Sequence, residues 1–260
     1  MKIVLSLLSL LLFCSACTTP AQPAAKPAAK KAAPRRNAVK TFYEAKFVKG
    51  GWNMADWEMV RSWRFDHDGA WVQEPKCIAN KVPADATPQE MLGKRADEVY
   101  TAMLLKKKFK GNAVISCTME FDDRMAPGII IAAEPVKANG KLELREHFEV
   151  ILYDDGLNVW HHFFLKTDPK SKNKRALAEG MEQRWRKQSY ILEKKFYKPK
   201  TPYTLTVSIK FTGRGPQIEV ACGGRVVGYY EPKMFAGEYR IGLVGCEGIN
   251  RFYDFKVTNR

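Results

Sequence analysis

Residues 203–210 of the chain are YTLTVSIK, and residues 217–230 are QIEVACGGRVVGYY. In the first stretch apolar and polar residues alternate with a period of two, which is the pattern of a strand that buries one face. In the second stretch, two strand-like runs flank the Gly223-Gly224 pair, an arrangement typical of a β-hairpin with a two-residue turn. The C-terminal part of the chain is therefore predicted to be antiparallel β-structure.

The same alternation recurs through most of the chain. Residues 114–121 alternate as regularly, and further strands are predicted over residues 42–48, 57–65, 100–109, 128–133, 145–153, 159–165, 237–244 and 251–257. Only residues 87–99 and 175–187 carry weak helical signals. Many short strands separated by Gly-rich turns predict an all-β fold, a two-sheet antiparallel jelly-roll sandwich.

Several of these runs resemble the concanavalin A-like lectin/glucanase superfamily. They are FKG at residues 109–111, PGIII at 127–131, the hairpin above, and the closing pair GEYRIGL and FYDFKV at 237–243 and 252–257. The likeness extends from about Trp57 to the C-terminus and is closest to laminin-G-like domains of bacterial exported proteins, including the 3-keto-disaccharide hydrolase domain family. It implies the jelly-roll fold but selects no activity, because this fold hosts lectins, hydrolases, lyases and interaction modules.

The N-terminus predicts export to the bacterial cell envelope. Lys2 precedes an apolar run over residues 3–13, which is too short to span a bilayer and has the length of a signal-peptide core. Two small residues stand directly before Cys17. This segment resembles a bacterial lipoprotein signal, which implies that residues 1–16 are a signal peptide and that a lipid on Cys17 anchors the chain to the membrane. An ordinary secretory signal cleaved after Ala16 is the alternative.

Residues 17–40 are predicted to be a tether and residues 41–260 the folded domain. Residues 18–40 consist almost entirely of Ala, Pro, Lys and Arg, a composition that cannot offset the entropy of ordering. The whole chain carries a net charge of +15; without Lys2 and six tether cations, 36 Lys and Arg remain against 28 acids, or +8. This balance favours an anionic polysaccharide or a membrane surface. Nucleic acid is not expected as a partner, because export is predicted and the sequence shows no nucleic-acid motif.

The strand over residues 145–153 and the one that follows it suggest a sugar site. Phe148, Val150 and Leu152 share one face of the first strand, and Arg145, His147 and Glu149 share the other. An exposed Trp is a natural platform for the C–H face of a sugar. The residues predicted to bind a polysaccharide or oligosaccharide, including an acidic one, are Arg145, His147, Glu149, Trp160 and His162, with Trp185 of the basic segment 166–187 at the rim. The alternatives are a solvated strand face, a core Trp160 and a solvated basic loop.

A glycan-cleaving enzyme, either a glycoside hydrolase or a polysaccharide lyase, is the alternative function. Glycoside hydrolysis needs two carboxylates, and the Glu-x-Asp-x-x-Glu pattern of family-16-type glucanases is absent here. A lyase could use Arg145 to neutralise charge and His147 and Tyr153 as base and acid. The weak catalytic candidates are Glu149, His147 and Glu134, and Glu134 and Glu149 could form a cross-strand pair. A third hypothesis is an envelope interaction module without a sugar site, which predicts a flat or convex face and a buried Trp160.

The sequence also offers candidate metal and disulfide sites. Asp254 lies on a closing strand that resembles those of relatives holding a structural calcium ion, and no other cofactor is expected. The adjacent His161 and His162 point to opposite faces of a strand and cannot bind one metal ion together. The four cysteines Cys77, Cys117, Cys222 and Cys246 permit two disulfides with three alternative pairings. The alternative for Cys117 and Cys246, which lie in strand-like runs, is that they are buried free thiols.

Overall fold

The computed structural model describes residues 39–63, 65, 67–124, 126–166, 183–232 and 237–259, with only the backbone described at residues 97, 164–166 and 183–186. The regular elements among these residues are a short helix α1 (Pro88–Met91), 3-10 turns at Met54–Asp56 and Ala96–Glu98, and β-strands. The strands are β1 (Thr41–Lys46), β2 (Trp57–Val60), β3 (Trp71–Gln73), β4 (Ile78–Asn80), β5 (Thr101–Leu105), β6 (Phe109–Lys110), β7 (Ala113–Phe121), β8 (Pro127–Ala132), β9 (Val136–Ala138), β10 (Lys141–Glu143), β11 (His147–Tyr153), β12 (Gly156–Lys166), β13 (Gln183–Lys194), β14 (Tyr203–Thr212), β15 (Gly215–Cys222), β16 (Arg225–Tyr230), β17 (Glu238–Gly245), β18 (Asn250–Phe252) and β19 (Asp254–Thr258).

The strands form two large antiparallel sheets. In the described part of the chain, sheet I has the order β16-β15-β14-β7-β18-β4-β3, with β19 pairing with β7 and β1 pairing with β19. Sheet II has the order β13-β12-β11-β8-β17-β5-β2, with β6 pairing with β17, and β9 and β10 form a separate small hairpin. The predicted all-β, two-sheet antiparallel jelly-roll sandwich is confirmed.

The main core lies between the two sheets. Leu205, Val207 and Ile209 of β14 point into it from sheet I, and Phe148 and Val150 of β11 are among the residues that enter it from sheet II. All of these side chains are at most 3% exposed. Burying an aliphatic or aromatic side chain of this size stabilises the fold by about 1.5–3 kcal/mol, so the period of two fixes which face of each strand turns inward. The alternation predicted for both strands is confirmed.

The predicted C-terminal hairpin is also confirmed. Cys222 at the end of β15 lies opposite Arg225 at the start of β16, which leaves a two-residue turn. Both turn residues need the left-handed backbone region, and Gly223 and Gly224 adopt φ angles of +57° and +80°. Glycine reaches this region without the steric penalty that a Cβ atom brings.

One of the two helical predictions is confirmed in part, and the other is wrong where the structure describes it. In residues 87–99, Thr87 and Glu90 form a capping box at the start of α1, and a 3-10 turn follows. The helix predicted over residues 175–187 is wrong where the structure describes it, because residues 183–187 belong to β13 and pair with β12. The backbone hydrogen bonds of this pairing override a weak local preference. Residues 175–182 lie outside the described part.

Cys77, Cys117, Cys222 and Cys246 are buried free thiols, so the structure has the alternative without disulfides between them. The predicted signal peptide, the lipidated Cys17 and nearly all of the tether lie outside the described residues. Among the described residues, no helix has the length and apolar character needed to span a membrane.

We expect Gly242→Ala to destabilise the fold. Gly242 pairs with Leu104 so closely that a Cβ atom would collide with the carbonyl oxygen of Met103 and lie 2.9 Å from the Leu104 Cα. Because backbone must move to make room, the free energy of unfolding should fall by about 1–3 kcal/mol. Gly213→Ala is the control, since a Cβ there meets no atom within 4 Å. Chemical denaturation of the two variants and wild type measures the change in the free energy of unfolding. Equal stability of the two variants would contradict the packing.

Candidate functional site

The outer face of sheet II, which points away from sheet I, carries the candidate site. Phe148 and Val150 of β11 face the main core, so the alternate residues His147 and Glu149 lie on this outer face. In the register of β11 with β12, His147 is directly opposite His162 and Glu149 is directly opposite Trp160. Residues directly opposite each other in an antiparallel pair point to the same face. Four predicted site residues are thus brought together.

A polar row crosses the outer face at right angles to the strands. Direct cross-strand partners give the order Arg240 on β17, Ala132 on β8, His147 on β11, His162 on β12 and Lys187 on β13. Neighbouring strands are 4.7–4.9 Å apart, so this row spans about 19 Å. We call it the polar row. Four of its five members carry nitrogen donors or an imidazole.

The outer face is covered rather than open. Phe65, Tyr100 and Leu144 pack on it and form a second apolar cluster with Trp160. As a result, the side chains of His147, Glu149 and His162 are at most 1% exposed. Sequence periodicity places residues on a face, but it does not show which distant segment packs against that face.

Glu149 lies at the centre of a buried polar cluster. Its Oε1 accepts a hydrogen bond from the Tyr100 hydroxyl at 3.0 Å and lies 3.4 Å from His147 Nε2. Its Oε2 lies 3.3 Å from His162 Nε2. The two imidazole rings stack in parallel, with centroids 4.3 Å apart and planes within 3°. His147 Nδ1 lies 2.5 Å from the carbonyl oxygen of Arg145.

The cluster holds Glu149 in its charged form. Burial alone acts to raise the pKa of the carboxyl group, but the charge of His162, its hydrogen bond to Glu149 and the neighbouring His147 outweigh it. The pKa of Glu149 therefore lies well below its usual range. A buried carboxylate is stable only when its charge is compensated in this way.

Trp160 is 5% exposed, so the expectation of an exposed stacking platform is wrong. The covering segments bury the indole, and the ammonium of Lys187 lies 4.1 Å from the ring centre. Lys187 itself is exposed. Arg145 is the most accessible of the predicted set whose exposure is described, with 37% of its side chain exposed and its guanidinium 3.5 Å from Glu143.

The lyase set predicted from the sequence does not form one site. Tyr153 is on the outer face with His147, but six residues separate them on one strand, or about 20 Å. Burial raises the pKa of Tyr153. The tyrosine that meets Glu149 is instead Tyr100, directly before β5, and no local signal in the sequence identifies it.

The pairing suggested for Glu134 and Glu149 finds no support in the described contacts. Glu134 lies two residues beyond the end of β8, and its carboxylate pairs with Arg240 and Lys108, each at 3.2 Å. Arg240 is 3% exposed and also donates to Glu58 at 2.8 Å. These ion pairs direct Glu134 to the guanidinium at one end of the polar row.

The adjacent histidines point apart, as predicted. His161 turns to the face opposite His162, where its Nε2 lies 2.9 Å from Glu146 Oε1 and its ring stacks on Phe148 with centroids 4.3 Å apart. His162 joins the cluster with Glu149 on the outer face. The backbone of Trp185 on β13 pairs with that of Phe164 on β12, and the side chain of Trp185 is outside the described part.

Asp254 bonds within sheet I. Its Oδ1 accepts a hydrogen bond from the backbone N–H of Thr118 at 2.8 Å, and its Oδ2 lies 3.8 Å from the Lys46 ammonium. Both neighbours are donors, whereas calcium takes six to eight oxygen ligands. The structural calcium site at Asp254 stays a prediction.

We expect Tyr100→Phe to lower the free energy of unfolding by about 1–3 kcal/mol, because Glu149 would lose a buried hydrogen bond without loss of packing volume. Tyr229→Phe is the control, since Tyr229 is 62% exposed and its change should stay within about 0.5 kcal/mol. Denaturant titrations of the two variants give both values. If Tyr100→Phe matches the control, the hydroxyl does not support Glu149.

No family model and no curated protein matches the chain. Among solved structures, the chain is similar to β-agarase A from Zobellia galactanivorans, with a TM-score of 0.53, 9% identity and coverage of 85% of this chain and 92% of that one. It is also similar to the GlcNAcα1-4Gal releasing endo-β-galactosidase from Clostridium perfringens, with a TM-score of 0.52, 6% identity and coverage of 86% and 63%.

A third similar structure is the carbohydrate recognition domain of Emp47p, with a TM-score of 0.50, 12% identity and coverage of 85% of this chain and 97% of that one. At identities this low, the site residues of these proteins cannot be matched to residues of this chain. The comparison therefore supports the fold alone. The chain has the concanavalin A-like lectin/glucanase fold.

Proposed function

We propose that the protein is a carbohydrate-binding lipoprotein of the bacterial cell envelope, in which a polysaccharide binds at the accessible β13 edge of the outer face of sheet II. The observation that carries this proposal is the exposed Lys187 at the end of the polar row, whose ammonium lies 4.1 Å from the centre of the Trp160 ring. A saccharide ligand is also supported by the similar structures, since these include a carbohydrate recognition domain, an agarase and an endo-β-galactosidase.

The accessible side chains at the β11–β13 end of the polar row would make the first contacts. Lys187 is exposed, and 37% of the Arg145 side chain is exposed. Both are cations, so they favour a glycan that carries carboxylates, with which charge-assisted hydrogen bonds form. Trp160 and His162 lie beneath them and would support the site, and movement of Lys187 would uncover part of the indole.

The envelope location rests on the N-terminal sequence. The short apolar run and the small residues before Cys17 support a lipid anchor, and the Ala, Pro and Lys-rich residues after it support a solvated tether. A tether of this kind would let the domain reach a polysaccharide outside the membrane that holds it.

A glycan-cleaving enzyme is the second candidate. It is favoured by the Tyr100 hydroxyl and two imidazoles around the Glu149 carboxylate, a set that can hold and move protons. Against it, Glu149 is 1% exposed and Glu134 is bound by Arg240 and Lys108. Catalysis would require the covering segments to open.

We expect the full chain, purified in detergent, to be retained on acidic polysaccharides more strongly than on neutral ones. Lys187→Ala and Arg145→Ala should each weaken retention by about 10-fold to 150-fold, the equivalent of one charge-assisted hydrogen bond of about 1.5–3 kcal/mol. Lys194→Ala is the matched control, because Lys194 is exposed on the same strand but pairs with Gly156 at its other end. Affinity electrophoresis on a panel of polysaccharides measures these differences.

The same incubations distinguish the competing hypotheses. Release of reducing or unsaturated ends would show an enzyme and identify it as a hydrolase or a lyase. An equal loss of retention in Lys194→Ala would show a general charge effect and remove the site assignment. A folded protein that binds no polysaccharide would favour an envelope interaction module, the hypothesis that predicts a buried Trp160.

We expect Cys17→Ser to abolish membrane association in a bacterial host. Without the thiol, no lipid can be attached, and the chain should move from the membrane fraction to the soluble exported fraction. Mass spectrometry of the wild-type N-terminal peptide should show a lipid-modified Cys17. An unmodified peptide that begins at Cys17 would instead support an ordinary secretory signal.

A further inference from the structure

The buried cluster on the outer face contains a convergent set of metal-ligand atoms. One ligand atom from each of His147, Glu149 and His162 lies within 4.8 Å of the other two. The Nε2 atoms of the two histidines approach different oxygens of the one carboxylate, at 3.4 Å and 3.3 Å. This arrangement depends on the cross-strand register of His147 with His162, and it is distinct from the adjacent pair His161 and His162 that the sequence shows.

The tautomer of His147 points to a cation between these groups. The carbonyl oxygen of Arg145 can only accept a hydrogen bond, so His147 Nδ1 carries the hydrogen in their 2.5 Å contact. In a neutral imidazole, Nε2 then presents a lone pair to the Glu149 carboxylate at 3.4 Å. Two acceptors that face each other repel, and His147 Nε2 makes no hydrogen bond. A positive charge between the two atoms removes this repulsion.

The distances leave room for a metal ion between these groups. A zinc ion binds imidazole nitrogens at 2.0–2.1 Å and carboxylate oxygens at about 2.0–2.2 Å, and in a tetrahedral site this places ligand atoms about 3.4 Å apart. The two nitrogen–oxygen distances of the cluster, 3.4 Å and 3.3 Å, agree with that value, but they involve different oxygens of Glu149. An ion would therefore bind both carboxylate oxygens, and the two parallel imidazole rings would turn toward it on binding. A proton shared by His147 and Glu149 would draw their atoms to about 2.7–2.9 Å.

Neighbouring groups would orient the ligands. The Arg145 carbonyl oxygen fixes the ring of His147, and the Tyr100 hydroxyl donates to Glu149 Oε1 at 3.0 Å. Such hydrogen bonds to the outer side of a ligand are typical of protein metal sites. Imidazole together with carboxylate suits zinc and other first-row transition ions, whereas calcium and magnesium prefer oxygen ligands alone.

We propose that His147, Glu149 and His162 form a binding site for a divalent first-row transition ion, with Zn²⁺ as the best match. The site does not rest on the proposed carbohydrate function. Since the three side chains are at most 1% exposed, the ion is enclosed and stabilises the fold by holding β11 to β12 beneath the covering segments.

The test uses the full chain in detergent, first treated with a chelator and then dialysed against Zn²⁺ or Co²⁺. We expect one ion per chain by elemental mass spectrometry. A ligand that binds only the folded state at about 100 times its Kd should raise the Tm by about 5–10 °C. His162→Gln and Glu149→Gln should each weaken Zn²⁺ binding by more than about 100-fold, because loss of an outer-shell partner alone costs about 10-fold to 100-fold.

His161→Gln is the matched control, since His161 is the neighbour of His162 on the same strand and faces the other way. It should bind Zn²⁺ like wild type. The visible spectrum of the Co²⁺ form should indicate nitrogen and oxygen ligands, without the charge-transfer bands of a thiolate. The proposal is overturned if wild type binds no ion, if His161→Gln loses binding as much as His162→Gln, or if thiolate bands appear. The first of these results requires no variant. If wild type binds no ion, a proton shared between the imidazoles and the Glu149 carboxylate remains as the explanation of the cluster.

Discussion

The outer face of sheet II is organised around one buried charge, the carboxylate of Glu149. Removing a carboxylate from water costs several kcal/mol unless its charge and its lone pairs are satisfied. In this protein the groups around the carboxylate come from three chain segments: His147 two residues earlier on the same strand, His162 across the strand pair, and Tyr100 from the covering segment. The register of β11 with β12 and the position of the cover are therefore coupled through this one group.

Packing of the cover imposes a second constraint on the same face. Small residues occupy several positions of sheet II on this side, and a Cβ at Gly128 would crowd the Ile151 side chain and lie 2.9 Å from the Val150 carbonyl oxygen. Phe65, Tyr100 and Leu144 fill the space above the sheet with a second apolar cluster. Strand β11 thus buries both faces, which explains why six of its seven residues are buried although the strand contains both His147 and Glu149.

Much of the fold and part of the candidate site follow from the sequence. The alternation of residues 145–153 correctly separates Phe148 and Val150 from His147 and Glu149, because a period of two is intrinsic to a strand. The same rule places Trp160 with His162. It gives no information about a third layer, so it could not show that Trp160 is 5% exposed or that Tyr100 meets Glu149. Those facts depend on contacts between segments about 50 residues apart, for which a single sequence carries no pattern.

Because the cluster is buried, ligand contact and structural support fall to different residues, although the sequence alone would assign both to one set. Contact with a ligand requires side chains that solvent reaches, such as Lys187 and Arg145, whereas the cluster around Glu149 is enclosed. The two sets remain connected, because Arg145 supplies the carbonyl oxygen that orients His147, and Lys187 lies on the Trp160 ring next to Glu149. A change in the cluster would thus reach the surface through the backbone at Arg145. The buried Glu149 carboxylate would thus support the residues of a binding surface and would not itself contact the ligand.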